Sequence, residues 1–222
     1  MVVAGNIEDK QGILDLIQEK FADLSNATSL IKTPYQPYKP EESSSTLMQW
    51  VNQAHVVMFA QGIGLKDEKM VCAAKLLANI LWGSTSSRLK LEIREGLGLC
   101  YYVGAGHSAT PDGWDFQIMA WLDKKKLQMG LDAIYKVVED IANWNITQEE
   151  FDLAKSNYLG LIQMGLETSD AVADWVWYRY IMRKDIQTLE QVMEQYRQVS
   201  FEDVLALCSL LKRANLYTYW IE

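Results

Sequence analysis

An arginine and a tyrosine seven positions apart, Arg94 and Tyr101, are the residues of this sequence best suited to chemistry. Two glycines, Gly96 and Gly98, lie between them and predict a tight turn. A guanidinium is a planar cation and a phenol is a neutral hydrogen-bond donor. Held on either side of a turn, the two groups could bind a carbonyl oxygen or stabilise a developing oxyanion. The commoner roles are a surface ion pair for the arginine and strand packing for the tyrosine.

The elements that would position this pair follow from the neighbouring residues. Apolar residues at four-residue spacing predict a short helix with one buried face: Leu89, Ile93 and Leu97. Ser84 or Ser86 is expected to cap its N-terminus. The glycines end the helix, and the β-prone run 100–103 predicts a strand directly after them.

The run from Ser84 to Val103 resembles a segment in the second domain of pitrilysin-type (insulinase family) zinc metallopeptidases. The matching residues stand in the family's order: Ser87-Arg88-Leu89, Glu92-Ile93-Arg94-Glu95, Gly98-Leu99 and Tyr101. One position departs from the pattern, since Leu97 stands where the family usually has a basic residue. The motif covers 20 residues, and the order of helices and strands from Thr46 onward is also similar.

This resemblance implies roles for the residues. In the family, the arginine and the tyrosine of the domain without zinc reach the substrate bound at the zinc of the other domain; here they are Arg94 and Tyr101. The helix that carries His-x-x-Glu-His in the zinc-binding domain corresponds to Val71-Cys72-Ala73-Ala74-Lys75, which has no histidine. We therefore expect no cofactor in this chain, and zinc in a missing N-terminal half or a partner subunit.

The chain divides into three predicted segments. Residues 1–24 predict a strand (Met1 to Ile7) and an amphipathic helix (Glu8 to Leu24), which in the resembled family close the zinc-binding domain. Residues 25–45 lack periodicity and contain three prolines and three consecutive serines, as in a linker. Residues 46–222 are expected to form the C-terminal domain, which does not bind metal. The chain is thus expected to be the second half of a longer protein.

The patterns predict an α+β fold, a two-layer sandwich of a mainly antiparallel sheet with helices packed on one face. Strands are expected at 46–51, 54–61, 100–108, 114–122 and 215–221, with a hairpin turn at Pro111-Asp112-Gly113. Helices are expected at 66–82, 127–144, 147–164, 168–180, 189–196 and 201–211.

Composition limits the partners and the compartment. The net charge of −8 and the lack of a basic stripe argue against nucleic-acid binding. The sequence has no run of eighteen apolar residues and therefore predicts no membrane span. Three widely spaced cysteines, Cys72, Cys100 and Cys208, are expected to be buried thiols. A reducing, cytoplasmic location is therefore favoured, with the periplasm as the alternative if a longer protein carries a signal peptide.

Other chemistry-bearing residues predict structural roles. His55 is expected in a buried strand and His107 near a hairpin, each as a structural histidine rather than a ligand. Gly104-x-Gly106 falls within a strand and does not open a helix, as a phosphate-binding loop would. The carboxylates of Glu149-Glu150 fit a helix cap. The sequence therefore shows no complete catalytic apparatus.

The function expected from the resemblance is the C-terminal, non-zinc-binding half of a zinc-dependent endopeptidase, which is not catalytic as an isolated chain. It would shape the substrate chamber for a peptide or an unfolded protein, and pair with an N-terminal zinc-binding domain or a homologous subunit. One alternative is a structural or assembly subunit, as in the respiratory-complex core proteins that resemble this family. Another is a stand-alone module in which the exposed edge of the 46–61 sheet region binds an extended peptide.

Overall fold

One five-stranded sheet organises the chain, for which the computed structural model describes residues 1–24, 44–46, 52–111 and 113–221. The strands are β1 Ser44–Thr46, β2 Gln53–Gln61, β3 Cys100–Ala109, β4 Trp114–Asp123 and β5 Tyr217–Ile221. Their order across the sheet is β1-β5-β2-β4-β3. All pairs are antiparallel except β1–β5, which is parallel. The predicted mainly antiparallel sheet is therefore confirmed.

The described part of the chain contains seven α-helices. They are α1 Lys10–Lys20, α2 Glu68–Leu81, α3 Leu127–Ala142, α4 Gln148–Met164, α5 Ser169–Arg183, α6 Leu189–Arg197 and α7 Phe201–Leu207. A π-helix occupies Lys90–Gly96, and 3₁₀ turns occupy Lys124–Lys126, Cys208–Leu211 and Arg213–Asn215. Capping boxes at Thr147 and Ser200 start α4 and α7, where helices are predicted at 147–164 and 201–211. None of the described helices has the length and apolar composition to cross a bilayer.

The core lies between the sheet and the helices. On β2 and β4, alternate residues are buried against the helices: Ala54, Val56, Met58, Ala60, Phe116, Ile118, Ala120 and Leu122. Helix α2 is the centre of the helical layer, with ten of its fourteen residues buried, because β3 covers one side and α4, α6 and α7 pack on the others. The predicted α+β two-layer sandwich is confirmed.

The N-terminal region differs from its prediction. Residues Met1 to Ile7 form no strand, and α1 begins only at Lys10, where the Asp9 side chain accepts a hydrogen bond from Gly12 N. No residue of α1 is buried, so the predicted apolar face is left uncovered by the described residues. The linker residues 25–43 lie outside the described residues. The last predicted linker positions, Ser44 and Ser45, belong to β1, because they pair with β5.

The edges of the sheet also differ from the prediction. Strand β2 lies between β4 and β5, so the expected exposed edge in the 46–61 region is wrong for β2. Because β5 comes from the far end of the chain, local pattern alone did not place it there. Strand β3 instead borders the described sheet on one side. The β3–β4 hairpin is confirmed, closed by Thr110 N donating to Gly113 O at 2.7 Å, while Asp112 lies outside the described residues.

The three cysteines are free. Cys72 and Cys208 are buried, as predicted, and Cys100 is half-buried. Burial raises the pKa of the Cys208 thiol to about 11 and also raises the pKa of Cys72. These thiols pack as small apolar groups rather than as reactive thiolates.

Candidate functional site

The segment between α2 and β3 carries the predicted site residues and begins with a serine-rich loop. Ser87 Oγ donates to Asn79 O at 2.9 Å and accepts from the backbone N–H groups of Gly83 and Ser84 at 3.0 and 2.9 Å. Ser87 is 4% exposed, so it fixes the loop to the last turn of α2. The predicted helix cap by Ser84 or Ser86 is wrong: these hydroxyls lie 3.0 Å apart and bond to each other.

Arg88 anchors the start of the following helix. Its Nε and Nη2 donate to the two carboxylate oxygens of Glu150 at 2.6 and 2.9 Å. The hydrogen bond from Arg88, helped by that from Thr147, holds the pKa of the Glu150 carboxyl below its ordinary value. The sequence analysis names Arg88 within the motif Ser87-Arg88-Leu89 and predicts no partner for it. Nothing else near Arg88 in the sequence points to this ion pair, because its partner, Glu150, lies in a different helix.

The helix at Lys90–Gly96 is a π-helix, with Leu97 N donating to Glu92 O at 3.1 Å. Its wider turn changes which residues face the core. Leu89 and Ile93 are fully buried, but Leu97 is 54% exposed and Leu99 is buried instead. The prediction that Leu97 shares the buried face is therefore wrong, because four-residue spacing holds only for an α-helical turn. Inserted π-turns are rare and frequently occur at functional sites.

Tyr101 enters the sheet through a bulge. Cys100 pairs with Leu122 and Tyr102 with Trp121, which leaves Tyr101 as an extra residue opposite no partner on β4. Its side chain is 75% exposed. Bulges of this kind redirect a side chain and are common beside active sites. The phenol is consequently available to a ligand. It does not take the commoner role of such a tyrosine, which is packing in the strand.

Arg94 is also accessible, with 46% of its side chain exposed. Its ion pair is a long one, 3.8 Å to the adjacent Glu95. Burial raises the pKa of the Cys100 thiol, and the charge of Arg94 opposes that rise. The Arg94 guanidinium therefore lies near Cys100, at the start of β3. Within the described residues, no hydrogen bond or cation–π contact joins Arg94 to Tyr101. The structure thus presents two separate donors at the entrance to β3.

The sheet surface turned away from the helices, here called the open face, carries an aromatic row. Its ring contacts are His55–Trp121, Tyr102–Trp121 and Phe59–Tyr217, at centroid distances of 5.2, 5.1 and 5.5 Å. Tyr102 follows Tyr101 directly, so the row begins beside the two donors. His55 is exposed on this face, and its predicted burial is wrong, because His55 and the buried Val56 point to opposite sides of β2. Aromatic rings on a solvated sheet surface suit contact with peptide side chains.

The described residues offer no set of ligands that fits a zinc ion. Among the described residues, no group of three or more His, Cys, Asp or Glu side chains is arranged to hold a metal. The helix position where zinc ligands would stand carries Val71, Ala74 and Lys75, and the first two are buried in the core. No step of a reaction is therefore assigned to a metal held by this chain.

The family model described as the peptidase M16 inactive domain matches residues 1–158. The chain belongs to this family, and the resemblance to pitrilysin-type zinc metallopeptidases is confirmed. The uncharacterized zinc protease YmxG of Bacillus subtilis is 26% identical over 212 residues, covering 94% of this chain and 50% of that protein. The chain thus spans about half the length of the relatives it matches.

Solved structures show the same fold. The M16 inactive domain from Pseudomonas fluorescens superposes with a TM-score of 0.80 at 21% identity, over 96% of this chain and 50% of that one. A protease from Helicobacter pylori gives 0.78 at 21% identity, over 99% and 54%. A chain of complex III2 from Candida albicans gives 0.73 at 16% identity, over 96% and 52%. At these identities, the likeness concerns the fold alone.

Proposed function

We propose that this chain is the non-zinc-binding half of a zinc-dependent endopeptidase and supplies Arg94 and Tyr101 to the carbonyl of a bound peptide. The observation that carries the proposal is the accessible pair of donors at the bulged entrance to β3. The two residues occupy the positions of the family's arginine and tyrosine. They also stand on a segment that Ser87 and Arg88 fix to the core, so their backbone is held before a ligand arrives.

The chemistry of the pair follows from its groups. Tyr101 offers a neutral O–H and Arg94 a planar set of N–H donors, and both are free to turn toward a ligand oxygen. A peptide carbonyl accepts such bonds, and they strengthen as negative charge develops on its oxygen. Removing one such donor typically costs about 100-fold in rate. The open face would form a wall of the substrate chamber and hold side chains of a peptide or an unfolded protein.

A second half is part of this proposal. Zinc would lie in an N-terminal domain or a homologous partner subunit, since the residues here do not fit it. Helix α1 supports a missing neighbour, because no residue of this amphipathic helix is buried: Leu14 is 52% exposed, and Leu24, just beyond the helix, is 70% exposed. We assign residues 1–24 to that neighbour, 25–43 to the connection, and 44–222 to the inactive domain, since Ser44 and Ser45 pair with β5. Three free thiols support a reducing compartment such as the cytoplasm.

The test uses the chain together with its zinc-binding half. Tyr101→Phe and Arg94→Ala are expected to lower kcat/KM for an unstructured peptide by about 100-fold each without changing the thermal midpoint. Tyr180→Phe and Arg197→Ala are matched controls, since both are exposed residues on the helical side. Turnover that is the same in Tyr101→Phe and in Tyr180→Phe would remove the tyrosine from the proposal.

A structural or assembly subunit is the alternative, and the uncovered face of α1 is compatible with both roles. In that case Leu14→Glu would disrupt a complex with the partner, and Tyr101→Phe would change nothing measurable. Co-purification of the partner, scored alongside peptide turnover, distinguishes the two roles.

A further inference from the structure

A cavity of about 400 Å³ lies on the helical side of the sheet, between the end of β3 and helices α2, α4, α5 and α6. Its walls include Cys72 and Lys75 of α2, His107 of β3, Tyr158 of α4, and Trp175 and Arg179 of α5. This volume is in the range of small-molecule pockets. At the usual rise per strand residue, His107 lies about 20 Å along β3 from Tyr101. The cavity is therefore separate from the proposed peptide site.

The charge around the cavity is unbalanced. Lys75, Arg179 and Arg183 line it, together with no Asp or Glu. Arg183 pairs with Glu68 at 2.8 Å and Arg179 with Asp185 at 3.2 Å, so each arginine has its own carboxylate. Lys75 forms no ion pair or hydrogen bond within the described residues. Burial lowers the pKa of Lys75. The nearby Cys72 thiol opposes this shift, and the charges of Arg183 and Arg179 add to it. Lys75 is therefore the basic side chain of this cavity that lacks a carboxylate partner among the described residues.

His107 adds a donor without an acceptor. Ile63 N donates to its Nε2 at 2.9 Å, so the neutral ring carries its proton on Nδ1. Burial first, and then the charge of Lys75, lower the pKa of His107 to about 4, which keeps the ring neutral at pH 7. The Nδ1 atom is buried and has no hydrogen-bond partner among the described residues. A buried donor left in this way is costly and calls for an acceptor.

Arg179 provides a second unsatisfied donor on the same wall. The residue is 6% exposed, its Nη2 is engaged by Asp185 and Gln187, and its Nε is buried with no partner in the described part of the chain. Lys75, His107 and Arg179 thus line one cavity, and His107 Nδ1 and Arg179 Nε are buried donors without an acceptor among the described residues. The other walls are largely aromatic: Tyr158, Trp175, Tyr178 and Tyr196.

We propose that this cavity binds a small organic monoanion, a carboxylate with an aromatic body. The carboxylate would pair with Lys75 on the wall that also carries His107 and Arg179, while the ring would pack against the aromatic wall. A single negative charge matches the single uncompensated lysine. A dianion such as phosphate would leave one charge unpaired in a buried setting, which is unfavourable.

The test is calorimetric titration of the 222-residue chain with 3-phenylpropionate, its neutral amide, and inorganic phosphate. We expect the carboxylate to bind at least tenfold more tightly than either of the others. Lys75→Met should weaken carboxylate binding at least tenfold, and His107→Gln, which keeps an acceptor for Ile63 N, should weaken it severalfold. Lys66→Met is the matched control, since Lys66 is exposed just before α2, and it should bind as the unaltered chain does.

Three outcomes would overturn the proposal. They are no binding of 3-phenylpropionate up to about 10 mM, equal binding by Lys75→Met and by Lys66→Met, and binding of the amide as tightly as the acid. Phosphate that binds more tightly than the carboxylate would reject the monoanion assignment. Circular dichroism of each variant shows that the fold is retained before its titration is interpreted.

Discussion

Arg88 at the start of the π-helical segment forms a two-point ion pair with Glu150, 62 positions later, in the first turn of α4. Glu150 also accepts from Thr147 N at 2.8 Å and so completes the cap of α4. One carboxylate therefore both starts a helix and holds the segment that carries Arg94 and Tyr101. The Arg88 side chain is only 14% exposed, which makes this pair stronger than a typical surface pair.

Breaking this pair is expected to destabilise the fold. Arg88→Met should lower the free energy of unfolding by about 2 kcal/mol, because Glu150 keeps a half-buried charge without its main partner. Glu150→Gln should cost about 1 kcal/mol, since glutamine can still complete the capping box. Urea unfolding measures both. Arg197→Ala, which breaks an exposed pair, is the control and should leave the midpoint in place. Equal midpoints for Arg88→Met and Arg197→Ala would contradict the anchoring role.

His107 should make stability depend on pH in mildly acidic solution. Its pKa is about 4 in the folded chain, against an ordinary value of 6.5. Between these values, the unfolded chain binds more protons, so the free energy of unfolding falls as the pH drops from 6.5 toward 4. After discounting for partial solvent access, the loss should be about 2 kcal/mol.

The measurement is urea unfolding at several pH values in the unaltered chain and in His107→Gln. The variant should lack the part of the pH dependence of the free energy of unfolding that His107 causes. The exposed His55 is present in both proteins, so its contribution cancels in the comparison. Parallel pH profiles would show that His107 is not held neutral by the fold.

Gly98 should be sensitive to substitution through its backbone alone. Its φ is +56°, in the left-handed region, and a Cβ there would meet no atom within 4 Å. Gly98→Ala should therefore cost about 1 kcal/mol from conformation rather than from a clash. Gly106→Ala is the matched control, because that position is equally open and is not left-handed. Thermal unfolding that shifts both variants equally would exclude the conformational explanation.

Local signals in the sequence account for much of this structure. Helices α4 and α7 start at the capping residues Thr147 and Ser200, where helices were predicted, and β4 matches the strand predicted at 114–122. The glycines after Arg94 correctly marked the turn before β3. These features depend on neighbours within a few positions, which a single sequence displays directly.

The remaining features depend on distant pairings. The position of β5 beside β2 made β2 central and so removed the predicted edge. The π-turn moved Leu97 out of the core, because its register differs from the α-helical spacing on which the prediction relied. The predicted strand at Met1 to Ile7 has no partner strand among the described residues. The bulge at Tyr101 and the contact of Arg88 with Glu150 likewise appear only when the segments are brought together.

The open face should contribute to peptide affinity more than to folding. Trp121 is 40% exposed and contacts both His55 and Tyr102. If the chamber-wall role is correct, Trp121→Ala in the complete protease should raise KM for a peptide with aromatic side chains by about tenfold and leave kcat nearly unchanged, because the contact is present in both the bound and the transition states.

Trp177→Ala provides the control for that measurement. Trp177 is 51% exposed on α5, in the helical layer, so it should alter neither constant. A charged peptide without aromatic residues should show a smaller effect of Trp121→Ala than the aromatic peptide does. If KM changes equally for both peptides, or equally in both tryptophan variants, the aromatic row does not select the substrate. A drop in kcat at constant KM would instead mean that Trp121 positions the Arg94 and Tyr101 segment through its contact with Tyr102.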